Sequence, residues 1–295
     1  MRASELLARL GQRVLLLDGG FGSMLIAAGL EPGRAPEWWT LERPERVEAV
    51  HRAYCEAGSD IVHANTFGAS PPKLAAASLA GRCREINVRA IEIARRTCGG
   101  RALVAGDIGP TGLLLPPVGT AGEDELRAAF EEQVAALAGG DAELLSIETM
   151  YDLREALAAV RAARQTGLAV LASMTFEARK RGAFTIMGDP LERSLQALLE
   201  AGADAVGCNC SVTPEVMVGM VKEARAAVAA PLIAQPNAGQ PRATLDGVVY
   251  DASPAEFARQ LMAMVAAGAR LVGGCCGTDP EFIRQARRAL DEAGA

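Results

Sequence analysis

Three cysteines sit where short apolar runs stop. Cys210 lies in Gly207-Cys208-Asn209-Cys210-Ser211, and Cys275 and Cys276 lie in Gly273-Gly274-Cys275-Cys276-Gly277-Thr278. If those runs are neighbouring strands, the three thiols converge on one point. Three thiolates suit a zinc ion that keeps its fourth position open for a substrate. Adjacent residues of a strand point to opposite faces, so Cys275 and Cys276 can share an ion only where the strand stops and the backbone turns. Gly273, Gly274 and Gly277 supply that freedom. The same residues also read as buried structural cysteines, or as a vicinal disulfide at Cys275–Cys276. The chain has 7 cysteines and only 2 histidines, so a metal here must be held mainly by sulfur or carboxylate. Cys55, Cys83 and Cys98 fall in helical stretches and read as structural. Cys208, two residues before Cys210, is expected on the same side but deeper.

Two acids end apolar runs as well, Asp18 and Glu148. Each could anchor a substrate ammonium group, or simply brace a loop. Asn237, in Gln235-Pro236-Asn237-Ala238-Gly239, could hydrogen-bond a substrate or fill the open position of a metal; a turn residue is the alternative. Gly273–Thr278 also resembles the phosphate cradle that follows the last strands of many barrels, which keeps a phosphosugar lyase or isomerase in play. The lysines, Lys73, Lys180 and Lys222, end no strand, which argues against a Schiff-base version. His63 could be a base, but inside a strand it reads more simply as a satisfied core residue. Trp38-Trp39 falls in a long loop that could cover the site or pack against a helix.

These residues need elements to position them. Strand candidates are 14–19, 61–67, 102–107, 143–148, 169–175, 205–210, 232–237 and 271–275. They are apolar on both faces, as parallel strands covered by helices should be. Amphipathic stretches alternate with them. Thr40 precedes 41–57 and Gly58 follows. Segment 123–138 ends at Gly139-Gly140. Segment 151–165 ends before Gly167, and 191–201 is closed by Gly202. Thr213-Pro214-Glu215, Ser253-Pro254-Ala255-Glu256 and Asp279-Pro280-Glu281 are helix starts, with Pro at the first position. Eight strand–helix units imply a single (β/α)8 TIM barrel, one domain over residues 1–295. A doubly wound sheet would usually have fewer strands and a G-x-G-x-x-G loop, which Asp18-Gly19-Gly20-Phe21-Gly22-Ser23 does not match.

Composition narrows the class. Half the 295 residues are hydrophobic and 4% aromatic, so Ala, Leu and Val carry the core. The net charge of -6 and the lack of a basic stripe argue against nucleic acid. No apolar run reaches the ~18 residues that would span a bilayer, and the first residues lack the apolar core of a signal peptide. A cytoplasmic protein is expected.

The strand ends together resemble the zinc-dependent homocysteine S-methyltransferase family over nearly the whole chain. The matching pieces are Asp18-Gly19-Gly20-Phe21-Gly22-Ser23, Asn65-Thr66-Phe67-Gly68, Gly106-Asp107-Ile108-Gly109-Pro110-Thr111-Gly112, Glu148-Thr149, Asn209-Cys210-Ser211, Pro236-Asn237-Ala238-Gly239 and Gly273–Thr278. They look most like the homocysteine module of cobalamin-dependent methionine synthase, then betaine–homocysteine methyltransferase. The resemblance implies a (β/α)8 barrel that transfers a methyl group to homocysteine and gives methionine. It implies zinc on Cys210, Cys275 and Cys276, and the homocysteine amino group on Asp18 and Glu148. It also implies that backbone near Gly19 takes the carboxylate, with Asn237 a fourth ligand in the empty site. Ser23 stands where Thr is usual, and Gln235 where the methionine synthase module has Glu. The chain holds one barrel, so a methylcobalamin donor would arrive on a separate corrinoid protein; betaine is another donor. A non-catalytic zinc or redox thiol module is a third class, and would show a closed four-ligand site.

Overall fold

The computed structural model describes residues 1–31, 33–244 and 247–295. Its strands are β1 (Leu15–Leu16), β2 (Ile61–His63), β3 (Leu103–Ile108), β4 (Leu144–Met150), β5 (Val170–Met174), β6 (Glu177–Arg179), β7 (Gly182–Phe184), β8 (Ala205–Asn209), β9 (Leu232–Gln235), β10 (Pro241–Thr244), β11 (Gly247–Tyr250) and β12 (Ala269–Val272). Eight of them form one parallel sheet in the order β1-β12-β9-β8-β5-β4-β3-β2. A parallel bridge between Leu17 and Ile61 joins its two ends into a barrel.

The interior is layered by strand parity. Leu15, Leu17, Ile61, Ala105, Leu144, Ala169, Leu171, Ala205, Ile233 and Leu271 pack together inside the barrel. Their neighbours Leu16, Val62, Val104, Leu145, Val170, Val206 and Val272 pack outward against helices. The first helix, Ala3–Gln12, closes the end where the strands begin. Leu6 and Leu10 join the interior cluster, and the Met1 backbone bonds Ala169. The opposite end is left for polar residues.

Six of the eight barrel strands are shorter than the apolar runs predicted. β2 stops at His63 because the chain then turns, with the Thr66 amide donating to the Ala64 carbonyl at 2.7 Å. Pro44 interrupts the long helix expected before Gly58, since it has no N–H to continue the ladder. Two helices result, Glu37–Glu42 and Pro44–Ala57, and Thr40 lies inside the first rather than capping the second. Trp38 and Trp39 are therefore helical, not looped. The hairpins β6–β7 and β10–β11, inserted after β5 and β9, were not evident from periodicity. β6 is fully exposed and each strand of the two hairpins has only three or four residues, too short for a periodic signal. Among the described residues no helix is long and apolar enough to cross a membrane.

Candidate active site

The open end holds a cavity of about 730 Å³. Parity brings His63, Asp107, Glu148 and Gln235 to it, each an even number of residues beyond an inward-facing neighbour. Cys210, Cys275 and Cys276 line it too, but parity alone would have turned Cys210 away. Cys208 faces the helix layer with Val206, so an extended chain would send Cys210 the same way. Instead the strand ends at Asn209, and Cys210 and Ser211 both take left-handed backbone, φ 61° each. The Cys210 amide still donates to the Gln235 carbonyl at 2.9 Å, and the Val212 amide closes a tight turn on Cys210 at 2.8 Å. That turn carries the thiol into the mouth. The sequence reading placed Cys208 and Cys210 on one side; the turn separates them, and Cys208 is buried in the outer core.

Past β12 the Cys275 amide donates to the Pro236 carbonyl and the Ala238 amide to the Cys276 carbonyl. This pins both cysteines against the end of β9. The ligating atoms of Cys210, Cys275 and Cys276 lie within 4.8 Å of one another, with Cys210 and Cys276 sulfurs 3.9 Å apart. Sulfurs at ~2.3 Å from a tetrahedral zinc are ~3.8 Å apart, so the three fit one ion. No fourth Cys, His, Asp or Glu completes the group among the described residues, and its free side faces the cavity. Hydrogen bonds from Cys210 and Cys275 pull the Cys276 thiol down to about 3. Cys210 is lowered by Cys275, but Cys276 and burial win and push it up to about 11. Cys275 is pushed well up by its hydrogen bonds to Cys210 and Cys276. One thiolate forms readily and resists the next two, a resistance that a shared cation would remove.

The Gly273–Thr278 loop is not arranged as a phosphate cradle. The amides of Gly273, Gly274, Cys275 and Thr278 donate to Ala234, Asp18, Pro236 and Cys275 carbonyls, and that of Gly277 to Ser23 Oγ. Its glycines serve close approach: a Cβ on Gly274 would lie 2.2 Å from Thr278 Oγ1, and one on Gly277 2.2 Å from the Tyr250 ring.

Glu148 faces the mouth by parity, and β4 breaks immediately after it. The register with β5 shifts between Ile147 and Met150, where Thr149 takes φ 58°. A β-branched residue there is a genuine outlier. Asn209 holds it: Oδ1 accepts from the Thr149 amide at 2.8 Å, and Nδ2 donates to Thr149 Oγ1 at 2.7 Å and to Glu148 Oε2 at 3.4 Å. Ser173 Oγ donates to the same Oδ1. Burial raises the Glu148 carboxyl, His63 lowers it, and Asp18 and Cys210 raise it, to about 6.

Asp18 is 1% exposed and does not line the cavity. His63 takes both its oxygens: the ring Nδ1 meets Oδ1 at 2.6 Å and the amide donates to Oδ2 at 2.9 Å. Ring Nε2 meets Ser146 Oγ at 3.1 Å. Burial lowers the imidazole, but Asp18, Asp107 and Glu148 outweigh it and raise it to about 10. Gly19 lines the cavity. Asn237 stands between the thiol loops with its amide on the Val212 carbonyl and a buried Oδ1 that meets no partner.

His63 is the satisfied, buried residue that its strand position implied, with partners on both ring nitrogens, and it also lines the cavity. Sequence reading gave Asp107 no role and missed Tyr250, whose ring lies against Gly277. Parity along β3 was the available signal for Asp107. Nothing local signalled Tyr250, which arrives on the hairpin. Of the tryptophans, Trp38 lines the cavity and Trp39 is buried in the core.

Comparison with known proteins identifies the family. The sequence model of the homocysteine S-methyltransferase family matches residues 15–290. Methionine synthases of Mycobacterium leprae and Mycobacterium tuberculosis are each 33% identical over 97% of the chain. The chain spans only 25% of the length of either. The metallated crystal form of the homocysteine methyltransferase MmuM from Escherichia coli superposes with TM-score 0.79, at 26% identity, over 96% of this chain and 98% of that one.

Proposed function

This chain belongs to the homocysteine S-methyltransferase family, and on that premise we propose that residues 1–295 form one homocysteine-binding barrel domain that moves a methyl group onto the homocysteine thiol and releases methionine. The observation that carries the reading is the meeting of three thiols, within 4.8 Å of one another, with the Glu148 carboxylate in one open cavity. Cys210, Cys275 and Cys276 would hold the zinc. When bound, zinc supplies a positive charge that keeps a substrate thiol deprotonated at neutral pH. The chain's own groups do the positioning. Glu148 receives the substrate ammonium, and the backbone beside Gly19 faces its carboxylate. Asp18 acts behind them, holding His63 against the cavity wall. Asn237 is the candidate donor for the fourth ligand position before substrate arrives, a role supported by its unpartnered Oδ1. With the thiol already deprotonated, no protein base has to act, and alignment of sulfur with the methyl group does most of the work.

We infer a methylcorrinoid as the donor, on the strength of the strand-end resemblance to cobalamin-dependent methionine synthase; betaine is the second candidate. A cytoplasmic location accords with this chemistry. The test is methionine formation by the zinc-loaded protein from homocysteine and each of betaine, S-methylmethionine, S-adenosylmethionine and methylcobalamin. Cys210→Ala should lose both bound zinc and methylation, and retention of both sinks the reading.

A further inference from the structure

We propose that Asp107 is the second carboxylate holding the substrate ammonium, beside Glu148 on the neighbouring strand. This rests on the homocysteine reading above and names a residue that reading did not use. Asp107 follows Leu103 and Ala105 on the inward face of β3, two residues nearer the mouth. It is 5% exposed and lines the cavity. Its backbone is fixed from both sides. The amide donates to Thr66 Oγ1 at 3.0 Å, and that hydroxyl donates back to the Asp107 carbonyl at 2.8 Å. Gln133 in turn donates to the Thr66 carbonyl at 2.8 Å. The side chain is thus aimed by a rigid strand end.

Yet the carboxylate itself receives no hydrogen bond among the described residues, and its Oδ1 is buried with no partner. A buried acceptor left unpaired is costly, and calls for a ligand that completes it. Asp18 shows the contrast within the same barrel end, since His63 occupies both of its oxygens. Asp18 with the His63 imidazolium is near neutral as a pair. Of the acids that line the cavity on β3 and β4, Glu148 has only a 3.4 Å contact from Asn209, and burial beside Glu148 pushes the Asp107 carboxyl well up, so neither carboxylate is stabilised until a cation reaches it. An ammonium offers three N–H donors and one positive charge, and can bridge two such carboxylates.

The test is equilibrium binding to the zinc-loaded protein of L-homocysteine and of 4-sulfanylbutanoate, which has the same thiol and carboxylate but no amine. Wild type should prefer homocysteine. Asp107→Asn should weaken homocysteine about 10- to 100-fold, the range for a charged hydrogen bond, and change 4-sulfanylbutanoate less than about threefold. Asp107→Ser, smaller and also uncharged, should give the same split if the amide variant folds poorly. Full amine preference in a folded Asp107 variant overturns the assignment and leaves the homocysteine reading standing. A wild type that binds neither thiol removes that reading, and the assignment with it.

Discussion

Asn209 carries a prediction that joins the fold to the site. Its side chain accepts from the Thr149 amide and Ser173 Oγ and donates to Thr149 Oγ1, all at 2.7–2.8 Å. Each is worth ~1 kcal/mol net, and Thr149 in its left-handed state costs ~1–2 kcal/mol that these bonds must outweigh. Asn209→Ala removes all three and leaves the Thr149 amide without its partner. The expected loss is about 3 kcal/mol, or roughly 5–8 °C in Tm for a chain of this size. The residue is 1% exposed, so solvent has little access to replace the lost partners. Without the brace Thr149 relaxes toward extended backbone, and Glu148 also loses the Asn209 contact that orients its carboxylate. Homocysteine affinity should then fall about tenfold or more, while affinity for 4-sulfanylbutanoate holds. Calorimetry and binding on the same protein check both halves. Thr149→Gly is the internal control: glycine takes φ near 58° freely, so Asn209→Ala should cost less in that background. A single Asn209→Ala variant that melts within about a degree of wild type and keeps its preference for the amine would refute the reasoning, because the bulge would then be holding itself.

Two further outcomes follow from the same geometry. Burial holds the Glu148 carboxyl at about 6 against an ordinary 4.5, so the folded chain keeps a proton there that the unfolded chain has lost. The stability this group contributes therefore falls as pH rises through that window and is lowest above it. Glu148→Gln should stabilise the metal-free protein by up to about 2 kcal/mol near pH 7.5 and by nothing near pH 4; urea unfolding at both pH values checks it, and the variant should at the same time lose amine preference. Gly274→Ala should destabilise by about 1–3 kcal/mol, because its Cβ would lie 2.2 Å from the Thr278 hydroxyl oxygen. Thr278 also braces Cys275 and Gly20, so bound zinc, read by metal analysis, should fall as well.

The barrel was legible because its strands are covered on both faces and its helices begin at Pro or end at Gly. The eight apolar runs and the eight strands of the closed sheet correspond one to one. The strand ends were less legible, for a physical reason. The apolar signal continues past the point where the backbone leaves the sheet: Ala64, Val212 and Ala238 stay partly or fully buried in loops. The thiol cluster was readable as a convergence of strand ends, but its geometry was not. Period-two alternation assigns Cys210 to the same side as Cys208, and only two consecutive left-handed residues reverse that. Neither is glycine, so the sequence carries no local sign of the turn. Trp39 and Thr40 were misjudged because the expected helix 41–57 was drawn straight through Pro44, where the chain breaks into two helices.

The acids show the same limit in another form. Asp18 and Glu148 both end strands and both are negative, so sequence treats them alike. The fold separates them by what reaches each one. His63, one strand away, takes both oxygens of Asp18, and that pairing leaves little net charge for a substrate. Asp107 lies on the next strand beyond β2, where no side chain among the described residues arrives to pair with it. A site for an ammonium needs carboxylates kept dry enough to bind strongly and unpaired enough to need a partner. Burial supplies the first condition for Asp18, Asp107 and Glu148, but the second holds only for the latter two. The distribution of hydrogen-bond donors over β2, β3 and β4, rather than the placement of the acids themselves, decides which carboxylates face the substrate.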